Sequence, residues 1–218
     1  MREEDWRSLV ELEHSFVGDD LFLATKDDDQ EKISFDKTWA NLSETVKECQ
    51  KCSLCDTRNH TVFGEGDVNA KLFFVGEAPG KDEDLSGKPF VGRAGKLLTK
   101  MIIAMGLQRE DVFIANILKC RPPDNRNPSS EEIEKCVPYL KRQISIIQPK
   151  ILCTLGSFAT KTLLEEETPI SKLRGKVYSY EGVSLVPTFH PAYLLRNASM
   201  KAKAWQDLQL VMKLLDTR

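Results

Sequence analysis

The sequence predicts an α/β protein, a three-layer α/β/α sandwich around a central, mainly parallel, four-stranded sheet. Three observations carry that expectation. Short apolar runs recur along the chain, longer segments with helical spacing separate them, and glycine or proline punctuates their ends. The runs are apolar at nearly every position rather than alternating, as strands covered on both faces should be.

The elements follow in order. Residues 1–36 form an acidic N-terminal extension. In it, Trp6, Leu9, Val10 and Phe16 can line one face of a short helix, and Lys26-Asp-Asp-Asp-Gln-Glu-Lys32 reads as a solvated linker. Residues 37–218 form the domain proper. Thr38 to Glu48 is predicted helical. Lys71-Leu-Phe-Phe-Val-Gly76 is the first strand, and Gly92 to Met105 a helix with Leu97, Leu98, Met101 and Ile102 on one side. Val112 to Ile117 is the second strand. Ser129-Ser-Glu-Glu132 opens a long helix through a capping box, and Pro149 stops it after about Gln148. Ile151 to Leu155 is the third strand, Gly156 to Glu166 a helix, Val183 to Thr188 the fourth strand, and Ala202 to Leu215 a final amphipathic helix.

With 218 residues, 41% of them hydrophobic, the chain can build one compact domain with a sizeable core. No apolar run approaches the roughly 18 to 20 residues that cross a bilayer. The opening MREEDWRSLVELEHSF is acidic and interrupted, unlike a signal peptide. The expectation is a soluble, cytoplasmic, monomeric protein with no membrane partner. Its net charge of −2 hides an asymmetry: residues 1–48 carry 14 acidic and 6 basic side chains, leaving 19 acidic and 25 basic in the rest. A basic body is compatible with phosphate-backbone binding, and the acidic extension with binding a partner or competing for the basic face.

In such folds ligands bind where loops leave the carboxyl ends of the strands. Gly76-Glu-Ala-Pro-Gly80 follows the first strand, Asn116 ends the second, and His190-Pro191 follows the fourth. His14 and His60 fall in less promising places, the extension and the cysteine loop.

Six cysteines in a chain without an export signal point to metal ligands or core residues rather than disulfides. Cys49-x-x-Cys52 and Cys52-x-x-Cys55 each give the close pair a metal site needs, and Cys120 and Cys136 make a second pair. Cys153 lies inside an apolar strand and reads as core. Four thiolates suit zinc or a [4Fe–4S] cluster. Spacing leans slightly to zinc, and does not decide which close pair supplies the ligands.

Gly76-Glu-Ala-Pro-Gly-Lys-Asp-Glu-Asp84, Gly87-Lys-Pro-Phe-Val-Gly-Arg-Ala-Gly95, Asn116-Ile-Leu-Lys-Cys-Arg-Pro-Pro123 and His190-Pro-Ala-Tyr-Leu-Leu-Arg-Asn197 together resemble the family-4 uracil-DNA glycosylases, over about residues 45 to 216. The resemblance implies a DNA-repair enzyme that acts on uracil-containing DNA, single- or double-stranded, flips the uracil out and hydrolyses its N-glycosidic bond. It also implies a [4Fe–4S] cluster. Counting back from Val62-Phe-Gly-Glu-Gly66, the family's first pair falls on Cys49 and Cys52, and the later pair on Cys120 and Cys136; Cys55 is left out. This overturns the lean to zinc.

The resemblance assigns further roles. Asn116 reads the uracil edge, with its acceptor facing N3–H and a donor facing O4. Phe90 is the stacking platform, and His190 stabilises charge on uracil O2. Gly76, Glu77 and Ala78 shape the pocket. Family-4 chains carry alanine, here Ala78, where other uracil glycosylases place an aspartate, so Glu77 and Glu83 become the candidates for handling water. Tyr193, Leu194 and Leu195 are the candidate duplex wedge, and Arg196 and Arg121 the candidate phosphate grips. The cluster is expected to staple the Arg121–Ser129 loop and the helix carrying Cys136, setting Arg121, Arg126 and Lys135 near DNA. The competing reading is a non-catalytic iron–sulfur protein that binds nucleic acid or senses redox state.

Overall fold

The computed structural model describes residues 38–216. The chain divides into two compact units, Met1–Leu42 and Ser43–Arg218. The expectations for residues 1–36 lie outside the described residues. Of the first unit only residues 38–42 are described, and they are helical. Every described strand, and every described helix that begins after residue 42, belongs to the second unit.

Helix α1 (38–47) runs into the first cysteines. Strand β1 (Glu65–Gly66) precedes β2 (Leu72–Gly76), α2 (Lys81–Ser86), α3 (Arg93–Ala104), β3 (Phe113–Asn116), α4 (Ser130–Ile147) and β4 (Ile151–Leu155). Then come α5 (Ser157–Leu164), α6 (Ile170–Leu173), β5 (Tyr178–Tyr180), β6 (Val183–Thr188), α7 (Pro191–Arg196) and α8 (Lys201–Asp216). Among the described residues, no helix is long and apolar enough to cross a membrane.

The sheet has six strands in the order β1-β3-β2-β4-β6-β5, so the four-stranded expectation needs correcting. The four central strands are the predicted ones and are parallel, with Gly76 opposite Asn116 and Leu155 opposite Thr188. The two added strands are antiparallel edges. They are two and three residues long, too short for periodicity to register. β5 joins β6 through a tight hairpin at Glu181-Gly182, both with positive φ. Pro187 sits in β6 without breaking a ladder to β5, because that pairing covers only Val183–Leu185.

Every residue of β2, β3 and β4 is buried, which explains their unbroken apolar character. From β2 the chain crosses through α3 to β3, then back past β2 through α4 to β4. Right-handed crossovers in opposite directions place α3 and α4 on opposite faces. On one face Phe74, Ile114, Cys153 and Val186 pack with Leu98 and Ile102 of α3 and Leu208 and Val211 of α8. Phe73 and Phe113 meet edge to face on the other, their centroids 4.9 Å apart. The predicted capping box starts α4: Glu132 N–H donates to Ser129 Oγ (3.2 Å) and Ser129 N–H to Glu132 Oε2 (2.8 Å).

Candidate active site

A cleft of about 480 Å³ opens at the carboxyl ends of the parallel strands, beside the point where the winding direction reverses. It brings together Glu77, Ala78, Glu83, Phe90, Asn116, His190, Tyr193 and Arg196, all singled out in the sequence. Gly76 lies beneath it. A Cβ there would stand 2.3 Å from Asn116 Oδ1 and 2.6 Å from the Phe90 ring, so only glycine lets both side chains converge.

Asn116 is 1% exposed, and its Oδ1 has no hydrogen-bond partner among the described residues. An orphaned buried acceptor costs about 1 to 3 kcal/mol. It lies on the wall of the cleft, where a donor from outside the chain could reach it. Phe90, buried in the same wall, has its backbone in the left-handed region at φ 51. Its centroid lies 5.7 Å from that of His190. Gly95 makes this loop possible, since a Cβ there would meet the Phe90 carbonyl oxygen at 1.8 Å.

His190 is the N-cap of α7. The Ala192 backbone N–H donates to its Nδ1 at 3.1 Å, which fixes Nδ1 as an acceptor and puts the proton of the neutral ring on Nε2. Burial, with a smaller push from the Arg196 charge, lowers its pKa from 6.5 to about 4, so the ring is neutral at pH 7.

The two candidate carboxylates differ. Glu83 accepts backbone N–H groups from Gly80 (3.1 Å), Val91 (2.9 Å) and Gly92 (2.9 Å), fastening the start of α2 to the start of α3. Glu77 makes no side-chain hydrogen bond or ion pair among the described residues, and burial raises its pKa above 4.5.

The wedge and grip residues separate too. Leu194 is 1% exposed and packs with Phe189 and Ala204, so it belongs to the core and not to a wedge. Leu195, its neighbour in α7, is 46% exposed. Arg196 stands on the cleft rim, whereas Arg121 donates to Asn125 Oδ1 (2.8 Å). Arg126 reaches the cleft but is held by Glu132 in a two-pronged pair of 2.6 and 2.9 Å, which pulls that carboxyl down to about 2. Lys135 pairs with Glu131. The cleft also recruits Asn125, which sequence reasoning missed. Its only signal is an Asp124-Asn125 pair of the kind that tolerates left-handed backbone, and both residues adopt it.

Cys49, Cys52, Cys120 and Cys136 line a second pocket together with Leu54, Arg58, Leu118, Lys119 and Tyr139. Cys55 is not on its wall and donates to Asp56 Oδ1 (3.4 Å). Donors face the sulfurs, among them Arg58 Nη1 to Cys120 Sγ (3.4 Å) and the Lys119 backbone N–H to Cys136 Sγ (3.2 Å), with the Tyr139 hydroxyl hydrogen-bonded to Cys49. Burial pushes the Cys136 thiol up to about 11, opposed by the Lys119 charge. Among the described residues, no three His, Cys, Asp or Glu side chains converge as ligands of a single ion.

Known proteins resemble the chain over most of its length. Residues 63–209 match the model of the Uracil DNA glycosylase superfamily. The chain is 45% identical over 185 residues to the type-4 uracil-DNA glycosylase of Archaeoglobus fulgidus, covering 80% of this chain and 93% of that protein. It is 45% identical to the type-4 enzyme of Saccharolobus solfataricus, covering 81% and 86% of the two chains. To that of Thermotoga maritima it is 46% identical, covering 72% and 83%. A cleft that gathers the four ordered motifs and a match running through nearly the whole of these relatives lead to one assignment: the chain belongs to the type-4 uracil-DNA glycosylases of the uracil DNA glycosylase superfamily.

Proposed function

We propose that this protein excises uracil from DNA by hydrolysing the bond between N1 of the base and C1′ of the deoxyribose, leaving an abasic site. The observation that carries the reading is the unpartnered Oδ1 of Asn116 on the wall of the cleft. It meets the N3–H of a flipped uracil, and the amide NH2 meets O4. Cytosine has no hydrogen on N3 and an amino group at C4, so it would face acceptor with acceptor and donor with donor.

Phe90 stacks on the base, a contact worth about 1 to 3 kcal/mol. As the C1′–N1 bond breaks, its electron pair leaves with the base and charge gathers on O2, where the neutral His190 donates its Nε2–H. Water bonds to C1′ and gives up a proton. Glu77 is the carboxylate that positions that water and takes the proton, because its oxygens are not engaged by the chain and burial makes it a better base. Glu83 supports the site by holding the Gly80 and Val91–Gly92 backbone in place. Leu195 and Tyr193 fill the gap that the base leaves in a duplex, and Arg196 grips phosphate.

Cys49, Cys52, Cys120 and Cys136 would hold a [4Fe–4S] cluster. An all-sulfur donor set on one pocket fits it. Such a cluster cross-links the segment after α1, the loop after β3, and α4; hydrolysis of the base moves no electrons. The enzyme is read as a monomer of the cytoplasm, associated with the nucleoid, with the acidic residues 1–36 available to a separate partner.

The test is uracil release from single- and double-stranded oligonucleotides, detected by alkaline cleavage of abasic sites, for wild type, Asn116→Ala and His190→Ala. Release by wild type and loss in both variants is expected. No release by wild type with its iron intact would favour the non-catalytic binder. Unchanged rates in both variants would overturn the site assignment.

A further inference from the structure

Lys119 is the one lysine among the largest fully buried side chains, at 1% exposure. Its Nζ donates to the backbone oxygen of Asn116 (2.9 Å) and to Gln143 Oε1 (2.6 Å). Gln143, itself 0% exposed, donates onward from Nε2 to the Phe63 carbonyl (2.9 Å). The Lys119 backbone closes the other side: its N–H donates to Cys136 Sγ (3.2 Å), and its carbonyl accepts the Val62 N–H (2.7 Å). No carboxylate pairs with the ammonium among the described residues; its two partners are the neutral Asn116 carbonyl and Gln143 Oε1.

Packing alone does not call for this arrangement. A methionine would fill the same volume without burying a charge, and a buried ion is costly unless paired and hydrogen-bonded. The location supplies the reason. Asn116 is the last residue of β3, and its side chain makes no hydrogen bond to the described protein. The aim of its amide therefore depends on its backbone, whose carbonyl is the atom that Lys119 holds.

We propose that Lys119 is a positioning residue that ties the four-cysteine centre to the base-reading amide of Asn116. The Lys119 backbone N–H holds Cys136 Sγ, and its Nζ, donating to the Asn116 carbonyl, fixes the strand end that carries the base-reading amide. This rests on the uracil-excising reading of the cleft.

The experiment is a double-mutant cycle of Lys119→Met and Asn116→Ala, read in the full chain by single-turnover uracil release, iron content and melting temperature. In the wild-type background Lys119→Met is expected to slow release about tenfold, the scale of coupling between groups in contact. In the Asn116→Ala background the same change is expected to have little further effect. Gln143→Leu, which removes only the second anchor of the ammonium, should show the same non-additivity with a smaller loss, and it carries the test if Lys119→Met does not fold. An equal loss in both backgrounds, or a loss that follows iron content alone, would reduce Lys119 to a structural role and overturn the proposal. A wild type that releases no uracil would instead defeat the reading of the cleft.

Discussion

The cleft and the cysteine pocket handle buried polar groups in opposite ways. Around the sulfurs two cations are tied to other parts of the chain: Arg58 to Cys120 and the Cys49 carbonyl, Lys119 to Asn116 and Gln143. In the cleft, Asn116 Oδ1 has no partner and the Glu77 carboxylate makes no hydrogen bond or ion pair among the described residues. Groups satisfied by the chain hold a shape; on the function proposed above, the unsatisfied groups of the cleft await the base. The difference separates scaffold from chemistry without reference to distance between them.

The largest effect expected from this contrast is at His190. His190→Ala should lower kcat for uracil release by about 100- to 1000-fold, the usual cost of a lost oxyanion donor, with iron content unchanged. Asn116→Ala comes next, with kcat/KM down about ten- to hundredfold in steady-state assays and again no loss of iron, as one or two unmade hydrogen bonds would give. On the other side of the contrast, Cys52→Ser should lose iron and melt at lower temperature, whereas Cys55→Ser should keep both. Iron analysis and thermal melts decide it, and equal losses in the two would return the choice of ligand pair to the ambiguity of the spacing.

Adjacent residues of α7 offer a smaller test. Leu194→Ala should cost about 2 to 5 kcal/mol in denaturant unfolding, as cavities in cores do. Leu195→Ala should change stability by less than about 0.5 kcal/mol, and should slow release from duplex more than from single strands.

The smallest effect is in pH. Activity should fall on acidification through a limb set by Glu77, whose pKa burial raises above 4.5, because a protonated carboxyl accepts no proton from water. In Glu77→Gln the limb should move down to near pH 4, where His190 titrates. For stability the sign is that of a depressed histidine. The contribution of neutral His190 is fully present above pH about 6.5 and is lost as pH falls to about 4, because the unfolded chain takes up the proton first. Melts of wild type and His190→Gln across that range check it.

Much of the fold was legible because β2, β3 and β4 are buried at every position, and an apolar run bounded by glycine or proline registers directly. The edges were not, since β1 and β5 exist through the backbone of their neighbours rather than through any pattern of their own. Short helices escaped for a related reason: α2 is held by a cap whose first residue is Gly80, which offers no side-chain signal. At the site, Asn116, Phe90 and His190 were legible from their motifs. That the backbone engages Glu83 and leaves the Glu77 carboxylate unengaged was not, because the Glu83 partners Val91 and Gly92 lie eight and nine residues on. Nor does sequence separate Leu194 from Leu195, since which of two neighbours points inward depends on where α7 settles against Phe189 and Ala204.

The unpartnered acceptor of Asn116 also bears on how such a protein changes under selection. Replacing it with a residue of similar size and no polar atoms would remove a destabilising group from the free enzyme and add about 1 to 3 kcal/mol to its stability. A library selected only for survival at high temperature should therefore lose Asn116 early, and the survivors should be hardier and inactive. Retention of this asparagine in a lineage living near its thermal limit would record selection for base discrimination acting against selection for heat resistance.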